Sequence, residues 1–302
     1  MADAGTANGT AVPRVARRSR LRVLLTDPGA RIALLVILAL ALLALFAPVI
    51  APFDPTAQRV ADALQPPGTT YWFGTDEFGR DVFSRVVHGA RPALLVGLCS
   101  VTLAVCVGTP IGLVAGFLGG WLDTAVSGVV DVLLSFPSLL LAMMVVTLAG
   151  SGLEMVVLAI AISQVPVFVR LARSSAMILR ELDYVAASRS FGAGRLYVLW
   201  RHILPNSVGP IIVMATLGIA GAIREEAGLS FLGLGVQPPA PSWGNLIYAG
   251  VANILDAPWL ALLPGTLLTL SVLAFNILGD SVRDILDPRD IVSGTTDQGR
   301  RT

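Results

Sequence analysis

Apolar residues along this chain do not alternate with polar ones; they run in blocks about as long as a bilayer is thick. The blocks at 32–51, 92–117, 124–148, 153–171, 207–233 and 259–278 each approach or exceed the ~20 residues a helix needs to cross the hydrocarbon core. They predict an all-α polytopic membrane protein with six transmembrane helices. Pro110, Pro137 and Pro166 fall inside blocks, where each predicts a kink. The first block is long, and no small-residue cleavage site follows a short apolar core, so it reads as a retained span.

The polar intervals then set the organisation. Residues 1–30 read as a disordered basic cytoplasmic tail, 31–91 as the first span with an external segment, 92–281 as the membrane core, and 282–302 as a cytoplasmic C-terminal tail. All 21 basic residues are arginine. Six lie at or before the start of the first block, six in 170–201 and four after the last block, against four in 52–91; Arg224 lies in or near a span. Arginine gathers on the cytoplasmic side of short loops, so this bias predicts a multi-pass membrane protein with both termini in the cytoplasm.

Composition narrows the class further. With 55% hydrophobic and 14% charged residues and a mean hydropathy of +0.76, the chain is no soluble globular domain. A net charge of +1 offers nothing for a nucleic acid. Without lysine there can be no Walker A loop, so the chain is not expected to hydrolyse ATP by that route or to be an enzyme. Cys99 and Cys106 read as small buried hydrophobes, His88 and His202 lie on opposite predicted sides, and no spacing suits a metal or a cofactor.

The most distinctive polar interval is 181–206, ELDYVAASRSFGAGRLYVLWRHILPN. Asp183 is expected to cap a helix, Gly192 and Gly194 to end it, and a second short helix to run towards Pro205. Small residues at Ala186, Ala187 and Ser190 leave one face without bulk, suited to sinking into a groove on another protein. The interval resembles the EAA loop of the membrane subunits of bacterial ABC importers. Ala187, Gly192, Leu204 and Pro205 stand at motif positions, with the Gly192-to-Pro205 spacing kept. Ala186 replaces the glutamate, Ser188 the third residue and His202 the isoleucine; Arg189 lies between the matched positions. The resemblance implies a coupling helix that docks on an ATPase subunit.

Between the first two blocks, Thr75 is expected to cap a short external amphipathic helix. Asp76 with Arg80, and Asp81 with Arg85, are expected to pair on its solvated face. GTDEFGRDVFSRVVHGAR resembles the C-type permease of dipeptide, oligopeptide and nickel importers, as do LSFLGLGVQPPAPSWGNLI and FNILGDSVRDILDPR further on. The resemblance implies a type I ABC importer permease of MetI-like fold in a bacterial cytoplasmic membrane. It also implies a second homologous permease subunit, two ATP-binding subunits and an external substrate-binding protein as partners, with peptides as cargo. At Gly128 the family usually has an arginine, three residues before the acid matched by Asp131.

Charges inside apolar blocks cost about 2.5–3.5 kcal/mol each at a span's centre on insertion scales. Asp131, Arg224, Glu225 and Glu226 are therefore expected to face protein or water. Local pairing of Arg224 with the two glutamates is the leading expectation, and lining of a pathway the second. An ion-gradient-driven secondary transporter is the alternative class, with these charges as its coupling sites. It leaves the external and cytoplasmic motifs without a role, and no repeat relates the two halves.

Overall fold

The computed structural model of the chain describes residues 27–286; the predicted tails lie outside these residues, apart from their innermost few positions. Helix α1, Pro28–Leu45, starts at Asp27, whose carboxylate accepts from the backbone of Gly29 and Ala30. A short turn follows, α2 at Ala47–Ile50. The long helix α3 spans Val82–Leu118, α4 Gly120–Leu134 and α5 Ser138–Ala149. Helix α6 spans Leu153–Arg180 and α7 Asp183–Ser190. The one-turn α8, Arg195–Val198, passes through a π turn at Leu199–Ile203 into α9, Leu204–Phe231. Helices α10, Trp243–Ala252, and α11, Trp259–Leu286, complete the bundle. Among the described residues the only β pairing is an isolated bridge between Thr75 and Asp81.

Five of these helices, or runs of helix, are long and apolar enough to cross a membrane. Helices α4 and α5, which meet at 91°, are long and apolar enough only when taken together, and they bring the count to six where the bent pair is one span. The expected kink at Pro137 is in fact a break: Pro137 is the N-cap of α5, and the helix does not continue through it. Pro110 and Pro166 do lie inside continuous helices. At 37 residues, α3 is about 55 Å long at 1.5 Å per residue and so must project beyond the bilayer.

The centre of the bundle is the seam between α3 and α6. Gly108, Gly112 and Gly116 repeat every fourth residue on α3, and the α6 backbone lies directly against them. A Cβ at Gly108 would come within 2.8 Å of the Val165 carbonyl oxygen and 2.9 Å of Phe168 Cβ. Small residues at this spacing let two helix backbones touch, which gives dispersion contact where lipid offers no hydrophobic drive. Ser100 adds a hydrogen bond to the Val157 carbonyl at 3.0 Å. Val96, Val101, Phe168, Ala222 and Leu229 extend this core to α9, and Ala142 and Val146 extend it to α5.

Outside the core, the segment before α3 differs from its expected form. The Thr75-capped helix is absent; 75–81 is a loop, and Asp81 caps α3, accepting from the Ser84 backbone at 2.8 Å. The charges expected on a solvated face are buried: Asp76, Arg80, Asp81 and Arg85 are each under 10% exposed. Asp76 pairs with Arg80 at 2.7 Å as the spacing predicted. Arg85 faces Asp76 rather than Asp81 and donates to the Pro55 carbonyl at 2.8 Å. The loop folds back over its own carboxylate, a contact that helical spacing alone cannot foresee. Nearby, Trp243 at the start of α10 is fully buried, with its indole N–H on the Val86 carbonyl at 3.0 Å.

Candidate functional site

Helix α7 carries the predicted interval's first turn, but Asp183 is its first helical residue and not its cap. Leu182 holds that position, and no side chain caps the helix. At the other end the prediction holds in part. Gly192 has φ of +84°, and its N–H reaches the Arg189 carbonyl while that of Ala193 reaches Ser188, a closed-off C-terminus that favours glycine. Gly194 has φ of −66° and simply precedes α8. The second helix does not stop at Pro205. Pro205 lies in the first turn of α9, has no N–H for the Arg201 carbonyl, and follows the widened π turn.

One side of α7 is fastened down. Val185 is fully buried among Leu113 and Phe117 of α3, Ala172 and Ala176 of α6, and Val198 and Ile203 behind it. The Arg189 guanidinium stacks over the Phe117 ring, 4.9 Å from its centre. Arg180 donates to the Gly116 carbonyl at 2.7 Å. Two departures from the loop motif meet each other: Ser188 Oγ lies 3.3 Å from His202 Nε2. The His202 ring sits between Tyr184 and Tyr197.

The opposite side is open. Ala186 and Ala187 are exposed there, as are Gly192 and Pro205 beside the half-buried Leu204, while on the fastened side Ser188 is half-buried and Arg189 stays exposed despite its stacking. Phe191 is 92% exposed at the helix end. An aromatic ring left in water next to a face of small residues is what a docking surface presents. The sequence alone did not single out Phe191, because exposure of a hydrophobe follows from the packing of everything around it.

The intramembrane charges do not form the expected cluster. Arg224, Glu225 and Glu226 are consecutive and so leave the helix about 100° apart. Arg224 is exposed and makes no ion pair among the described residues. Glu225 is buried with Ser163 Oγ at 3.4 Å, and Glu226 is fully buried, accepting from Ser230 at 2.7 Å. Ser230 in turn takes the Val236 N–H at 3.1 Å, fixing the loop after α9. Asp131, despite Gly128, has an arginine partner: Arg170 of α6, with both side chains more than half exposed. Asp123 and Arg173 form a second, bidentate pair between α4 and α6. Cys99 and Cys106, expected to be buried, face outward from α3.

Comparison with known proteins decides the class. The family model of the binding-protein-dependent transport system inner membrane component matches residues 108–291, and that of the N-terminal transmembrane domain of oligopeptide transport permease C matches 17–67. The chain belongs to this transport-system family. The permease is 44% identical to the dipeptide transport system permease protein DppC of Alkalihalophilus pseudofirmus over 272 residues, 90% of each chain. It is 45% identical to the di/tripeptide transport system permease protein DppC of Pseudomonas aeruginosa, covering 87% of this chain and 89% of that one. The glutathione transport system permease protein GsiD of Pectobacterium atrosepticum is 42% identical, over 84% of this chain and 85% of its own. Among solved structures, the inward-facing MetNI methionine ABC transporter superimposes with a TM-score of 0.56 at 19% identity, covering 67% of the permease and 96% of the matched chain. That likeness establishes the MetI-like fold.

Proposed function

We propose that this permease is one of two homologous membrane subunits of an ATP-driven importer for short peptides, with α7 as the helix that docks on an ATPase subunit. Three of its relatives carry names that specify dipeptides, di- or tripeptides, or the tripeptide glutathione, which supports peptide cargo. The observation that carries the coupling assignment is the two-sided character of α7: one side is sunk between α3 and α6 through Val185, and the other is bare around Ala187 with Phe191 at its end.

In this reading, two ATPases close on ATP and displace α7. Because Val185 and Arg189 tie it to α3 and α6, the displacement reaches the central seam of the bundle and opens the pathway outward, towards an external binding protein. The arginine bias supports a cytoplasmic position for 181–206 and an external one for 52–91, with both termini inside. Phosphoryl chemistry belongs to the partner subunits.

Cysteine labelling in intact cells tests the orientation. A cysteine at Ala61 should react with an impermeant reagent from outside and one at Ser190 only after permeabilisation; the reverse pattern overturns the topology. Uptake of a labelled dipeptide should require ATP and survive collapse of the proton gradient while ATP is maintained. Loss of uptake on collapse alone would favour an ion-coupled carrier.

A further inference from the structure

An apolar cavity of about 330 Å³ lies between α3 and the widened turn ahead of α9, with Cys106, Thr109 and Pro110 on one wall and Trp200 and Leu204 on the other. The wall contains two polar groups without their usual partners. Thr109 is 6% exposed, and its hydroxyl makes no hydrogen bond. Pro110 has no N–H, so the helix cannot supply its usual donor to the Cys106 carbonyl. The Thr109 hydroxyl is enclosed by protein, and the lining itself is almost wholly apolar, the environment an acyl chain needs.

Where this cavity ends, another hollow begins. Trp200 lines both, and the second is completed by Leu196, Tyr197 and Arg201. Tyr197 and Trp200 are more than half exposed, and Arg201 is exposed with no ion pair among the described residues. Tyrosine and tryptophan rings with an arginine beside them, flanking an apolar span, are the groups that settle at headgroup level. An arginine there attracts anionic lipid.

We propose that this pair of hollows is a binding site for one anionic glycerophospholipid of the leaflet that flanks residues 181–206. One acyl chain fills the cavity, and the phosphate lies at Arg201. A helix of another protein chain is the competing occupant, but an apolar helix would cover Arg201 without a counter-charge. The lipid would pack directly against the π turn and so against the segment that joins α7 to α9, making transport activity sensitive to lipid charge.

The test uses the permease purified with its partner subunits and placed in nanodiscs containing phosphatidylglycerol with a photoactivatable acyl chain. After illumination, mass spectrometry should locate adducts in 105–114 or 199–204. Arg201→Ala, an exposed position that leaves the fold intact, should lower the phosphatidylglycerol adduct yield about fivefold, the equivalent of the ~1 kcal/mol an arginine contributes near an anionic surface. The same variant should leave the yield with phosphatidylcholine unchanged. Val105→Trp, which fills the cavity, should lower both. Adducts found only elsewhere would overturn the proposal. So would a bifunctional thiol reagent joining Cys106 to a partner permease chain in place of lipid adducts.

Discussion

Replacing Gly112 by alanine sets two effects of opposite sign against each other. Within a helix the change stabilises by up to about 1 kcal/mol, because alanine loses less backbone freedom on folding than glycine. At this position, however, the new Cβ would lie 2.9 Å from Ala172 Cβ and closer still to the Val169 carbonyl oxygen. Ordinary contact begins near 3.4 Å, so the atom is about half an ångström too close to one neighbour and more to the other. The neighbours are backbone and a Cβ, with no flexible side chain to swing away, so α3 and α6 must separate. Over-packing of this kind costs about 1–3 kcal/mol, and here it should fall in the upper part of that range. The net expectation is a loss of about 1–2 kcal/mol. Gly128→Ala is the control: Gly128 is helical too, but nothing lies within 4 Å of an added Cβ, so only the stabilising term remains. Thermal denaturation of the purified complex in detergent, followed by tryptophan fluorescence, should place Gly112→Ala below the parent and Gly128→Ala at or above it. If Gly112→Ala is as stable as the parent while the control behaves as expected, the tight seam described here is wrong.

Three further outcomes follow from other sites. Asp76→Ala should cost about 3–5 kcal/mol, since it leaves Arg80 and Arg85 buried without their carboxylate; yield of folded protein should recover in part when Arg80→Ala is added. The Ala30 N–H and the Ser281 hydroxyl hold the Asp27 carboxyl below its ordinary value of 3.8. With the folded pKa depressed, the contribution of Asp27 is present above that ordinary value and drains away as pH falls through the folded one, so Asp27→Asn should flatten the acid limb of a melting series run between about pH 3 and 6. Gly192→Val meets no neighbour within 4 Å but must adopt φ near +84°, which costs about 1–2 kcal/mol for an L side chain. Membrane levels should stay near normal while uptake falls, with Gly192→Asn closer to the parent.

Much of the membrane architecture was legible because a span announces itself by length and apolarity. Its ends were not. The second span begins at Val82, ten residues before the block suggested, because Ser84 and Arg85 are polar yet buried against protein. The fourth runs to Arg180, carrying Arg170 and Arg173 to aspartates on α4. Both arginines look from sequence like loop charges. The glycine repeat at 108, 112 and 116 was readable as a helix-packing signal but was lost inside one long apolar run. The motif positions at Ala187 and Gly192 were found by spacing. Phe191, Val185 and the contact between Ser188 and His202 needed the fold, since each depends on what lies across from it. The charges at 224–226 suggested mutual pairing by adjacency, whereas neighbours on a helix point in different directions and found separate partners or solvent.

The assignment of α7 as the docking helix is tested most directly by proximity. In a permease with Cys99 and Cys106 replaced by serine, a single cysteine at Ala187 should cross-link to a cysteine in the docking cleft of the co-expressed ATPase subunit, and the yield should change when ATP is bound. A cysteine at Ala61 should give none. A transport-active complex in which position 187 never reaches an ATPase subunit, with or without nucleotide, would contradict the account.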